Sequence, residues 1–141
     1  MSVLRSCPKP ERSTSQREWR EKARDICGKI VRLRGICDRC GRTENKYQMH
    51  AAHVIPARYG NTDCNTDNRV CLCAFCHTAD NDSAHLNERD FHEWYDSKYP
   101  GKRDSLWKQA RAVCRLDFVG VYSDLLERLY EMLKAKRDAE K

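Results

Sequence analysis

Two spacings in this chain are suited to metal chemistry. "CDRC", ending on Cys37 and Cys40, and "CAFC", ending on Cys73 and Cys76, each present two thiols from one tight turn. Two such turns close a tetrahedron of thiolates around Zn²⁺ at about 2.3 Å per bond. A shell filled by four cysteines has no open position for a substrate, so the spacing predicts a structural zinc with no part in catalysis. Cys64 and Cys71 compete by proximity, although a single residue separates Cys71 from Cys73, too few for joint chelation. Disulfides are the rival account of nine cysteines. The number is odd and "MSVLRSCPKPERS" holds no apolar leader, which favours a reducing compartment and a zinc.

A second set of residues lies between and beside the pairs. "HAAHVIP" spans residues 50–56, Asn68 stands five residues before Cys73, and His77 abuts Cys76. An imidazole titrates near neutrality, so it can take a proton from water or bind a divalent ion. Each residue also has a plain reading: His53 as a buried histidine bonded to backbone, His77 as a neighbour or substitute ligand of the zinc, Asn68 as a turn residue. His50 stands open between packing and ligation. His92, beside aromatics on a predicted helix, is assigned to structure, and Phe91, Trp94 and Tyr95 to a core.

The elements that must position these groups follow from patterning. The chain has 141 residues, 40% hydrophobic and 34% charged, with a mean hydropathy of −0.88. That predicts one α+β domain, helix-rich, with a modest core that a metal clip would help to hold. Residues 1–12 carry two prolines and read as a flexible tail. Trp19, Ala23, Ile26, Ile30 and Leu33 form one apolar stripe, a basic helix that opens on a Ser15–Glu18 capping box and stops at Gly35. Gly28 weakens its middle. "YQMHAAHVIP" reads as a short strand ending at Pro56, and "RYGNTDCNTDN" as a loop. Asn87 with Asp90 caps a further helix, ended by Pro100-Gly101. Residues 102–141 form a helical extension whose last helix carries a stripe of Tyr122, Leu125, Leu126, Leu129, Met132 and Leu133.

The pieces "CDRCGR", "HAAHVIPAR", "TDNRVCLCAFCH" and "DFHEW" occur in this order over about seventy residues. In that arrangement the segment 30–100 resembles the HNH endonuclease family, and in particular phage HNH nucleases and NinG-type phage recombination nucleases. The resemblance implies a zinc-stapled ββα-metal core flanked by helices, within a nuclease domain over residues 13–101. It implies metal-dependent cleavage of DNA phosphodiesters, with His53 as general base and His77, at the start of a helix, as ligand of a catalytic Mg²⁺ or Mn²⁺. Asn68 would brace the loop and orient His53. Family members commonly place a second ligand directly before the base; here that position is Ala52. His50, three residues back, is the candidate replacement, and Asp80, Asp82 and His85 are the others. Ala52 also favours an alternative: a zinc-knuckle module that binds DNA without cutting it.

Charge points to the same partner. Residues 1–36 carry ten of the 27 Lys/Arg and four of the 21 Asp/Glu, leaving 17 of each beyond, so the net +6 sits in the N-terminal quarter. A basic helix ahead of a neutral centre suits a polyanion. Arg58 is the leading candidate for a phosphate contact near the centre, joined by Arg39, Arg42 and Arg69. No run approaches the roughly 20 apolar residues of a membrane span. The expected location is the cytoplasm, in a phage or prophage setting. The oligomeric state stays open, with the C-terminal stripe available for self-association.

Overall fold

The computed structural model describes residues 13–141. The first expected segment, 1–12, therefore lies outside the described residues. Helix α1 (Ser13–Arg32) begins two residues before Ser15. It buries Ala23, Ile26 and Ile30 of the expected stripe together with Cys27 and Val31, while Trp19 and Leu33 are only half-buried. Gly28 sits under the Arg32 guanidinium, the flexible end of which is the sole close neighbour a Cβ there would meet, at 2.8 Å. Gly35 ends the helical course at φ 69°, a left-handed conformation open to glycine at no steric cost, and turns the chain into the first cysteine knuckle.

Strands β1 (Met49–His53) and β2 (Arg69–Cys73) pair antiparallel, with His53 opposite Arg69 and Met49 opposite Cys73. The connection between them is not a plain loop. It holds a one-turn helix α2 (Gly60–Asp63) and a 3-10 turn at Thr66–Asn68, and it is largely buried. Asn68 explains this order. Its fully buried amide donates to the carbonyls of Ile55 (3.0 Å) and Thr62 (3.1 Å) and accepts from the Ile55 N–H (2.7 Å). Three bonds from one side chain thus clamp the exit of β1 to α2, which satisfies backbone groups that no ladder reaches.

After β2 the chain makes a five-residue π-helical turn (Phe75–Ala79) carrying Cys76 and His77, in place of the regular helix start expected there. Helix α3 (Glu88–Lys98) then opens on Asn87, whose side chain accepts from the Asp90 N–H as the sequence predicted. Its Phe91 and Tyr95 face the sheet in one core with Leu72 and Ile55. Helix α4 (Lys102–Ala110) adds Leu106 and Ala110 to that same core. Helix α5 (Phe118–Ala139) lies on α1 around a second core of Ala23, Ile26, Cys27, Ile30, Val121 and Leu125. Trp19 and Tyr122 meet edge to face there, centroids 5.1 Å apart. The stripe left for a partner helix is therefore covered by α1, while Tyr130 and Leu133 toward the far end stay exposed. Among the described residues no helix is long and apolar enough to cross a membrane.

Candidate functional site

The two knuckles meet. The sulfurs of Cys37, Cys40, Cys73 and Cys76 all lie within 4.8 Å of one another, and Cys40 and Cys73 are 3.6 Å apart. A disulfide needs about 2.05 Å, whereas the edge of a metal–sulfur tetrahedron is about 3.8 Å. The local folding is economical. Cys37 N–H donates to Arg42 O and Gly41 N–H to Cys37 O, closing the first turn. The Asp38 N–H donates to Cys71 O and the Asp38 carboxylate accepts from the Cys71 N–H, so the first turn is pinned to β2. Cys71 thus serves through its backbone, with its side chain wholly buried.

The thiols are electrically unequal. Burial pushes the Cys76 thiol well up, and burial also raises Cys40. Burial acts on Cys73 too, but the Cys76 backbone N–H and the Arg42 guanidinium outweigh it and bring that thiol down to about 7. Arg42 lies 3.5 Å from the Cys40 sulfur and 3.6 Å from that of Cys73, with Phe75 beneath it at 4.9 Å. Four neighbouring thiolates repel one another, so a dication is the partner that lets all four ionise at neutral pH.

On the other side of the π-turn lies a cavity of about 470 Å³. His53, His77, His85, Glu88 and His92 line it, with Ala51, Pro56 and Phe91 as apolar wall. The strand alternation that puts Ala51 and His53 there turns Ala52, 1% exposed, into the core. Ala52 itself therefore offers no ligand to the cavity. His50 instead brings its Nδ1 to 2.8 Å from Nδ1 of His77. The His77 ring also stands edge to face with His85, centroids 4.5 Å apart. Burial, reinforced by the neighbouring imidazoles of His85, His50 and His53, holds His77 down at about 4, so it is neutral at pH 7 with a lone pair available. Of the other candidate ligands, Asp82 lies 3.9 Å from Arg39, and neither it nor Asp80 lines the cavity.

Two expectations need correcting. Asn68 spends its amide on Ile55 and Thr62, so its bracing of the loop stands while the direct partner of His53 is another residue. That partner is Asp63, whose Oδ1 lies 2.9 Å from His53 Nε2 and whose side chain is fully buried. Arg69 is the second correction. It is 5% exposed and donates to the Asp63 and Ala51 carbonyls, so burial withdraws it from a phosphate at the surface. His92, assigned to structure, lines the cavity and pairs with Glu88 at 3.7 Å. Arg39 is drawn inward to the Asp82 carbonyl (2.6 Å), whereas Arg58 stays exposed over the Tyr59 ring.

Comparison of the chain with protein-family models, curated proteins and solved structures returns no match.

Proposed function

We propose that the protein is a metal-dependent DNA endonuclease of the HNH type, with Zn²⁺ in the four-cysteine centre and Mg²⁺ or Mn²⁺ in the cavity. The observation that carries the reading is that His53 and His77 line one cavity while His50 reaches His77 from the adjoining strand. Two cis nitrogens on an octahedral ion with bonds of about 2.1 Å stand about 3.0 Å apart. The two Nδ1 atoms, hydrogen-bonded to each other at 2.8 Å, already lie close to that separation. His77 and His50 would hold the ion, and the neighbouring His85 and Glu88 are within the same wall.

The ion, when bound, supplies Lewis-acid stabilisation of the phosphate oxygens and the departing 3′-oxygen. His53 takes the proton from the attacking water, the water oxygen bonds to phosphorus, and the P–O3′ bond breaks. The departing 3′-oxygen takes its proton from solvent, and a 5′-phosphate and a 3′-hydroxyl result. Val54, Pro56, Ala57 and Phe91 line the same cavity beside the imidazole, which keeps its side chain 23% exposed. Arg58 and the basic face of α1 would grip the sugar–phosphate backbone, so binding falls with salt and carries little sequence preference. A phage setting and a role in DNA recombination are the context the sequence resemblance suggests.

The direct test is nicking of supercoiled plasmid in Mg²⁺ or Mn²⁺; a wild type inert with both ions contradicts the reading and favours a non-cutting DNA-binding module. His77→Ala is expected to lose cleavage by at least about 100-fold while keeping one zinc per chain. Zinc lost together with activity would move His77 into the sulfur shell. The arginines separate as well. Arg58→Ala should lower the slope of log affinity against log salt by about 1 and leave the melting temperature unchanged. Arg69→Ala should instead destabilise the fold by about 3 kcal/mol, since it strips buried carbonyls of their donors. Equal effects of the two on salt dependence would overturn that division.

A further inference from the structure

We infer that Asp63 is the positioning residue of His53: anchored to helix α1 by Arg20 and Arg24, it fixes the imidazole as the Nε2–H tautomer and leaves Nδ1 as the basic atom. The nuclease reading enters only in naming the proton's source; the tautomer stands on geometry alone.

The Asp63 carboxylate is fully buried, where an unpaired charge would be intolerable. Its Oδ2 accepts from Arg20 Nε (3.0 Å) and from Arg24 Nε and Nη2 (3.0 and 2.7 Å). Its backbone carbonyl accepts from Arg69 Nε and Nη2. Burial would raise this carboxyl, but the hydrogen bonds from His53, Arg24 and Arg20 prevail and hold it well below the usual carboxylate range. An ionised carboxylate only accepts, so the hydrogen in the 2.9 Å contact between Oδ1 and His53 Nε2 belongs to the nitrogen. A neutral imidazole has one N–H, and Nδ1 therefore keeps its lone pair.

The anchor extends to the cavity rim. Arg20 Nη2 also donates to the carbonyl of Ala57, a lining residue, at 2.6 Å. Helix α1 thus holds both the carboxylate that orients His53 and the segment beside it, across more than 35 residues of sequence. A purely structural Asp63 would need α1 and Arg69 but not His53. A buried carboxylate spending one oxygen on an imidazole that opens into a cavity is the arrangement that sets a general base.

The test reads the tautomer directly. ¹⁵N NMR of the imidazoles in the zinc-loaded full chain, without added Mg²⁺ or Mn²⁺, should show neutral His53 protonated at Nε2 and bare at Nδ1. An Nδ1–H form, or an averaged mixture of both, overturns the inference. In the folded Asp63→Asn variant the tautomer should no longer be fixed, and the cleavage rate should fall about 100-fold or more at unchanged DNA affinity. A folded Asp63→Asn variant that cleaves within threefold of wild type overturns it too. Should Asp63→Asn not fold, the wild-type spectrum still decides. A wild type that fails to nick DNA counts against the nuclease and leaves the tautomer to the spectrum, so the two failures are distinct.

Discussion

Cys73→Ser is expected to unfold the sheet and both knuckles. Zinc held by four thiolates contributes on the order of 10 kcal/mol to small zinc-bound folds, while a domain of this size has about 5–15 kcal/mol in all. Losing the ion thus removes most or all of the margin. Cys73 concentrates the effect because it is fully buried at the end of β2, paired with Met49, and accepts from both the Cys76 N–H and Arg42. The four-cysteine centre also ties the segment before β1 to the turn after β2, a junction otherwise held by the bond from the Ala74 N–H to the Gln48 carbonyl and by Arg39 on the Asp82 carbonyl. Circular dichroism with metal analysis checks this, and a strong chelator should reproduce the loss in the wild type. A Cys73→Ser protein that melts cooperatively near the wild-type temperature with no zinc contradicts it.

His53→Ala carries the largest expected effect on chemistry. Removing a general base costs about 10²–10⁴ in rate, and His53, proposed for that role, can be removed with the fold nearly untouched. The side chain is 23% exposed, and Asp63 keeps Arg20 and Arg24 after the imidazole is gone. DNA affinity should stay within twofold, because the proposed phosphate contacts lie on Arg58 and α1. Parallel nicking and gel-shift titrations read the two quantities separately. Cleavage within tenfold of wild type would remove His53 from the mechanism.

The four-cysteine centre was legible because its signal is local: two residues of spacing fix each turn, and β1–β2 pairing brings the turns together. The Asn87 cap and the α1 stripe were legible for the same reason. Asp63 was not. Its partners Arg20 and Arg24 lie 43 and 39 residues away, and its surroundings, rich in Gly, Asn and Thr, carry the composition of an exposed loop. The Asn68 clamp and the arginines on Asp63 hold that loop inward, and an asparagine's spacing does not reveal where its amide points. Arg69 was misplaced by the same omission, since a buried Asp63 backbone draws an arginine that charge alone sends to the surface. Ala52 illustrates the converse. Its alternation with His53 was readable in the strand, and it places Ala52 in the core.

Soaking crystals with Mn²⁺ and locating the ion by anomalous scattering tests the centre of this account most directly. A Mn²⁺ peak is expected within about 2.3 Å of a nitrogen of His77, shared with His50 and facing His53 across the cavity. Manganese found only at the cysteine sulfurs, or bound away from the cavity while plasmid is still nicked, would contradict it.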